Sequence, residues 1–238
     1  AIVLMMNHFG ECGATVVATR DYHPVDHVCF NTEGGHLPAH CVEGTPGTFL
    51  LPPIADAMRS LLVANGPEKA VVAFKGFHED VDSFGALPYA NEYASTRIAT
   101  RSGFDINFCS PSAAHGCSRM PWTGCLALKQ SGILHAYRNH EDADMNSPPD
   151  LLAAVDDGKR RGMLSLPEVL KGKKRLFMCG VALDFCVLDS CINAKVNGFD
   201  EVFYVLDATR PAHIPGVGLY GSGFLSDPAE VKSKIKGA

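Results

Sequence analysis

RLFMCGVALDFCVLDSCINAKVNG, Arg175 to Gly198, is the stretch whose reading decides the fold. Leu176, Phe177, Met178 and Cys179 form the continuous apolar run of a buried strand, and Gly180 breaks it. Asp184 is placed to cap a helix that carries Leu188 and Ile192 inward and ends at Gly198. This puts Cys186 in the first helical turn, where unpaired N–H groups and the positive end of the helix dipole favour a thiolate. Cys186 is therefore a candidate nucleophile, against the plain alternative that cysteine is among the most commonly buried residues.

Three further apolar runs resemble the first: Thr15 to Ala18, Ala70 to Phe74 and Val202 to Leu206. Little alternation within each run predicts strands covered by helices on both faces, hence an α/β fold with a mostly parallel sheet. Each is followed by polar residues: Asp21 and His23 after the first, Lys75 after the second, the turn to Cys186, and Asp207 after the last. Parallel sheets bind ligands at the carboxyl ends of their strands, so these residues are expected to converge on one crevice. Helices are predicted from Ile2, Val3, Met6 and Phe9, closing at Gly10, and from Ile54 to Asn65. A third starts at Asp227 and Pro228. A chain that opens on a helix leads to the expectation of one more strand N-terminal to Ala1. Residues 1–238 read as one domain, elaborated between about Tyr89 and Leu166, where helices are expected around Cys125 to Ala136 and from Pro149 to Val155.

With 238 residues and a formal net charge of −5, the chain is ill suited to a nucleic-acid surface. No apolar stretch approaches the length of a membrane span, and no secretory leader is visible. Nine cysteines, an odd number without a CxxC pair, read as reduced thiols in the cytoplasm. The basic cluster Lys171, Lys173, Lys174 and Arg175 reads as a solvated strand entrance.

Asp21 and His23 reach one point from a strand end bending into a site. A third ligand would complete a mononuclear centre for one divalent ion, Zn²⁺ first, with Fe²⁺ or Mn²⁺ as alternatives. His40 is the preferred third ligand; His27 and His36 are its rivals. Lys75 directly after a buried strand is unusual, and an ammonium beside Cys186 would lower the thiol pKa and support a developing oxyanion. Cys109, His115, Cys117 and Cys125 fit no standard zinc-finger spacing.

RDYHP (Arg20 to Pro24), LPAHC with VEGTPG (Leu37 to Gly47), Lys75–Gly76 with DSFGAL (Asp82 to Leu87), CGVALDFCV (Cys179 to Val187) and DATR (Asp207 to Arg210) resemble, in this order, the motifs of the nicotinamidase and pyrazinamidase branch of isochorismatase-like cysteine hydrolases. The resemblance implies a three-layer α/β sandwich with a Rossmann-like sheet and a small-molecule substrate, nicotinamide or a pyrazinamide-like amide, cleaved to the acid and ammonia in NAD salvage. It also implies assembly into a homo-oligomer and marks residues 89–166 as an insertion. Cys186 matches the nucleophile, Lys75 the catalytic lysine, and Asp21, His23 and His40 the metal ligands. A cis peptide is implied at Val181–Ala182, turning the amides of Ala182 and Cys186 toward one oxygen. Tyr22, Leu37 and Val181 are expected to shape the ring pocket.

The departures concern Tyr22 and Leu37, where the family carries Trp, Leu183 and Phe185 in place of Thr and Tyr, and the aspartate that takes the thiol proton. Nothing in Ala1 to Gly13 matches the latter's motif, so that aspartate is expected upstream of Ala1. The alternatives are another cysteine amidase of the superfamily, or a binding or scaffold member without turnover.

Overall fold

The computed structural model describes residues 1–66, 68–76, 79–82, 84–87, 99–100, 126–128 and 163–237. They fall into two compact units, one comprising Val3–Ser83 and Arg97–Lys171, the other Ala1–Ile2, Phe84–Thr96 and Gly172–Ala238.

The larger unit is built on β1 (Val16–Asp21) and β2 (Ala70–Lys75), paired in parallel from Val16 opposite Ala70 to Asp21 opposite Lys75. All six residues of β2 are buried, which accounts for its uninterrupted AVVAF run. Helix α1 (Ile2–Glu11) buries only Met6 and Gly10, so Ile2, Val3 and Phe9 are less inward than their spacing predicts. Gly10 is not the terminator either. It lies inside α1 against Leu61, where a Cβ would meet Leu61 Cδ2 at 2.1 Å, and its carbonyl accepts from Asn65 Nδ2 at 3.1 Å. Gly13, at φ +70°, ends the helix instead. Helix α2 (Pro52–Asn65) has prolines in its first turn and turns Ala55, Met58, Leu61 and Leu62 into the core over β2.

Two short strands extend this sheet beyond β2. β5 (Leu126–Leu128) pairs antiparallel with β2, and β6 (Met163–Ser165) antiparallel with β5, giving the order β1-β2-β5-β6. The helix expected around Cys125 to Ala136 is thus a strand at its start. The second edge of β2 offers unpaired backbone groups, and pairing with them outweighs the helical preference of Leu and Ala, which amounts to well under about 1 kcal/mol per residue. The sheet of this unit is mixed where a mostly parallel one was expected. β3 (Val81–Asp82) and β4 (Ala99–Thr100) form a separate antiparallel pair, and α3 (Leu166–Val169) follows β6. Pro149 to Val155, Cys109, His115, Cys117 and Cys125 lie outside the described residues.

In the smaller unit, β7 (Arg175–Val181) and β8 (Glu201–Arg210) run parallel. Phe177 and Phe203 face each other in register and stack at 4.4 Å. Gly180 does not end β7. At φ +120°, it sits where the register shifts between Met178 and Gly180, a conformation open only to glycine, and the strand continues to Val181. β8 likewise runs past Leu206, so Asp207 is an exposed residue within the strand rather than a group at its end. Helix α4 (Leu188–Val196) follows β7 through a single π-type turn, and α5 (Pro228–Gly237) starts where Asp227 Oδ1 accepts from the Ala229 amide at 2.8 Å. The described residues include no helix long and apolar enough to cross a membrane.

Phe74 carries the heart of the larger unit: it is fully buried, its ring meets Tyr22 edge-on at 5.5 Å, and the Arg20 guanidinium lies 4.9 Å from its centre. Phe74→Ala is expected to cost about 4 kcal/mol of stability, read as a lowered urea midpoint at unchanged slope. A loss below about 1.5 kcal/mol would show that this ring is not a core anchor.

Candidate active site and metal centre

In a parallel pair, residues in register point to the same face. Asp21 and Lys75 are such partners, and Lys75 Nζ donates to Asp21 Oδ1 at 2.5 Å. Lys75 is 2 % exposed, so its ammonium depends on this carboxylate for compensation. Burial pushes the Asp21 carboxyl up, but Lys75 and then His23 more than offset it, holding Asp21 below the ordinary carboxylate value. On the opposite face Arg20 donates from Nε to the Thr48 carbonyl at 2.6 Å and from Nη2 to Thr48 Oγ1 at 3.2 Å, tying the long loop back to the sheet.

That loop, read in sequence as a functional segment without periodicity, closes on itself through isolated bridges. The His23 amide donates to the Cys41 carbonyl at 2.9 Å, and the His23 carbonyl accepts from the Glu43 amide at 2.8 Å; the Leu37 amide donates to the Cys29 carbonyl at 3.0 Å. These contacts bring the segments carrying His23, Cys29 and His40 together. Fully buried Phe30 fills the space between them, its ring 5.8 Å from His23, 5.7 Å from His27 and 5.6 Å from His40.

Both imidazoles of the expected metal set are oriented by carbonyls, which can only accept. His23 donates from Nδ1 to Gly76 O at 2.7 Å, and His40 from Nδ1 to Pro38 O at 2.8 Å. In a neutral ring so oriented, Nε2 is the nitrogen left to face a ligand. His23 Nε2 lies 3.8 Å from Asp21 Oδ2, and the two rings are 5.0 Å apart. Burial drives the His23 pKa down to about 4, with Asp21 opposing, so the ring is neutral near pH 7. Gly76 is required at its place: at φ +68°, with His23 Cε1 2.5 Å from where a Cβ would stand, it admits no side chain.

Asp21, His23, His40 and Lys75 are thus brought together. His36 is exposed, whereas His27 is fully buried beside Cys29 with its ring 4.2 Å from that of His23, so His27 and His40 both stand next to His23. Sequence reasoning missed Cys29. Donor atoms of His23, Cys29 and His40 lie within 4.8 Å of one another, as do those of His27, Cys29 and Asp82. The available signal was a cysteine six residues after His23 in a histidine-rich loop. Burial, with the Asp82 and Asp21 charges, raises the Cys29 thiol far above its ordinary pKa. This donor set, neutral nitrogens with oxygen and sulfur, suits a zinc-like divalent ion.

In the other unit Cys186 is half-buried in the π-type turn Leu183–Val187, directly before α4. Ala182, with extended backbone, is the N-cap, and the preceding Val181–Ala182 peptide is cis. Asp184 does not cap the helix; its Oδ1 accepts from the Ala212 amide at 2.8 Å instead. A carboxylate inside the turn reaches outward to a neighbouring chain segment, while the Phe185 and Val187 amides both turn to the Ala182 carbonyl. Tyr204 Oη donates to the Leu183 carbonyl, Ser190 Oγ donates to the Cys186 carbonyl at 2.6 Å, and Phe185 packs against Phe84 at 5.0 Å. Ser190 also accepts from the Ala86 amide at 2.9 Å, and Asn193 donates to the Leu87 carbonyl at 2.9 Å, so FGAL is held along α4. Of the expected pocket residues, Val181 is exposed and Leu37 half-buried, whereas Tyr22 is a core residue against Phe74.

Asp21→Asn removes the carboxylate paired with a buried ammonium and is expected to cost about 3 kcal/mol in the metal-free protein. Asp21→Asn with Lys75→Met should recover most of that loss, and urea titrations of the single and double variants check it. Gly76→Ala is expected to displace His23 and to weaken zinc affinity about 10- to 100-fold, measured by chelator competition.

No family model matches the chain. A nicotinamidase of Acinetobacter baylyi is 28% identical over 149 residues, which span 54% of this chain and 63% of that protein, less than two thirds of its length. The structure of the yeast nicotinamidase bound to the inhibitor nicotinaldehyde superposes with a TM-score of 0.52 at 17% identity, covering 99% of this chain and 81% of that one. The chain therefore has the α/β fold of that structure. Sequence, fold and motifs agree in their likeness: the chain resembles the nicotinamidase and pyrazinamidase branch of the isochorismatase-like hydrolases.

Proposed function

We propose that the chain is a nicotinamidase, hydrolysing nicotinamide to nicotinic acid and ammonia in NAD salvage. The observation that carries this reading is the union of His23 and His40, each with Nδ1 tied to a carbonyl, with the register-enforced Asp21–Lys75 pair. The similarity to a nicotinamidase supports the same substrate class.

His23 and His40, with Asp21 beside them, are the residues that would hold a divalent ion, zinc by preference. Bound there, it supplies a Lewis-acidic anchor for a pyridine nitrogen. Cys186 is the proposed nucleophile. Its sulfur adds to the carboxamide carbon, the C–N bond breaks, and the thiol proton leaves with the amide nitrogen as ammonia. Water then cleaves the thioester, returning the thiol and releasing the acid. The Ala182 and Cys186 amides are the proposed donors to the tetrahedral oxyanion, following the cis peptide and lying in the turn respectively. Lys75 serves as the catalytic lysine, its ammonium paired with Asp21 in a buried place. The ties from Tyr204, Asp184 and Ser190 hold the Cys186 backbone in one conformation, which lowers the entropy cost of attack.

Cys186→Ala is expected to lower ammonia release from nicotinamide by at least about 10⁴-fold with the circular-dichroism spectrum unchanged. Full activity in that variant would overturn the assignment. Ligand binding without turnover in the unaltered protein would identify a binding protein instead.

A further inference from the structure

The charge balance of the His23–His40 site exposes a shortage. Imidazole binds a metal as an uncharged donor, and the carboxylate beside the two rings is shared: Asp21 Oδ1 accepts from Lys75 at 2.5 Å while Oδ2 lies 3.8 Å from His23 Nε2. Asp21 and Lys75 together sum to zero. A dication held only by these groups would sit beside residues that are 3 % and 2 % exposed, His23 and Lys75, with the buried carboxylate of Asp82, in reach of Cys29 Sγ, as the further negative charge nearby.

The structure offers one more donor. Cys29 is 5 % exposed, and its Sγ lies within 4.8 Å of donor atoms of both His23 and His40. Its backbone is fixed from two sides: Leu37 donates to its carbonyl at 3.0 Å, and Gly35 packs so closely that a Cβ there would meet that carbonyl at 2.2 Å. His27 Nδ1 lies 2.9 Å from Sγ, in place to orient the sulfur.

We propose that Cys29 is a metal ligand, its thiolate joining His23 and His40 and supplying the negative charge that Asp21 shares with Lys75. The inference rests on the metal reading of the same site and deepens it. Ligation exchanges the S–H bond for a sulfur–metal bond and sends one proton to solvent. A soft sulfur donor also makes the site select zinc or cobalt over manganese, which prefers oxygen. Cys29 also belongs to the buried group with His27 and Asp82, the rival use of its sulfur.

The decisive measurement is X-ray absorption at the zinc edge of the unaltered, zinc-loaded chain. One sulfur scatterer at about 2.3 Å is expected, and a shell of nitrogen and oxygen alone, or no uptake of zinc, overturns the proposal. In the cobalt-loaded protein a thiolate-to-cobalt absorption in the near ultraviolet is expected, lost in Cys29→Ser and kept in Cys186→Ser. Survival of that band in Cys29→Ser overturns the proposal. So does a band that survives His40→Ala but disappears in Asp82→Asn, which would give the sulfur to the second group. If Cys29→Ser does not fold, the absorption edge of the unaltered protein still decides. Nicotinamide hydrolysis, measured separately, keeps the two readings apart: a sulfur-ligated ion without turnover defeats the nicotinamidase reading alone, and turnover with a sulfur-free ion defeats this one alone.

Discussion

The contact on which the larger unit depends is the buried ion pair between Asp21 and Lys75. It exists because β1 and β2 run parallel in a register that sets these two residues side by side at their strand ends. Moving one strand by a single residue would turn one of the charges to the opposite face, where Arg20 and Phe74 already lie together. The same register therefore secures an apolar contact on one face and an ionic one on the other. A buried lysine without its carboxylate would be costly, so the pair also selects this register over its neighbours.

From that pair the site grows outward through shared atoms. Asp21 faces His23 with its second oxygen, His23 leans on Gly76 one residue beyond Lys75, and the loop carrying Cys29 and His40 folds over Phe30. The smaller unit uses a different device. The turn bearing Cys186 is fixed by a tyrosine hydroxyl, a serine hydroxyl and an aspartate that each take a specific backbone group. One site is held by charge compensation and the other by backbone hydrogen bonds, so mutations in the two should differ in their dependence on salt and pH.

Much of this was legible in the chain. The four apolar runs are strands, and RDYHP and Lys75 stand at strand ends as their order suggested, but only β2 is buried along its length as a strand covered on both faces would be; β7 and β8 leave Phe177, Phe203 and Leu206 exposed. His40 was separable from His27 and His36 only by resemblance, and the folded loop sets both His27 and His40 beside His23. Other readings failed for identifiable reasons. Asp184 has the composition of an N-cap, but a π-type turn intervenes and the Ala212 amide takes its carboxylate. Leu126 to Leu128 looks helical by local preference, yet pairs with the open edge of β2. Tyr22 stands where an aromatic pocket wall was expected, and is drawn into the core by Phe74.

The sequence by itself determined the α/β class, the strands and the residues able to carry chemistry, because burial periodicity and ordered motifs are local properties of the chain. Only the tertiary structure decided how their charges are shared. Whether Asp21 serves Lys75, His23 or both depends on strand register, and whether Cys29 is an idle buried thiol or a neighbour of two imidazoles depends on a loop folding back over Phe30. Electrostatic partnership is set by distances between segments far apart in sequence, and no local pattern encodes those distances.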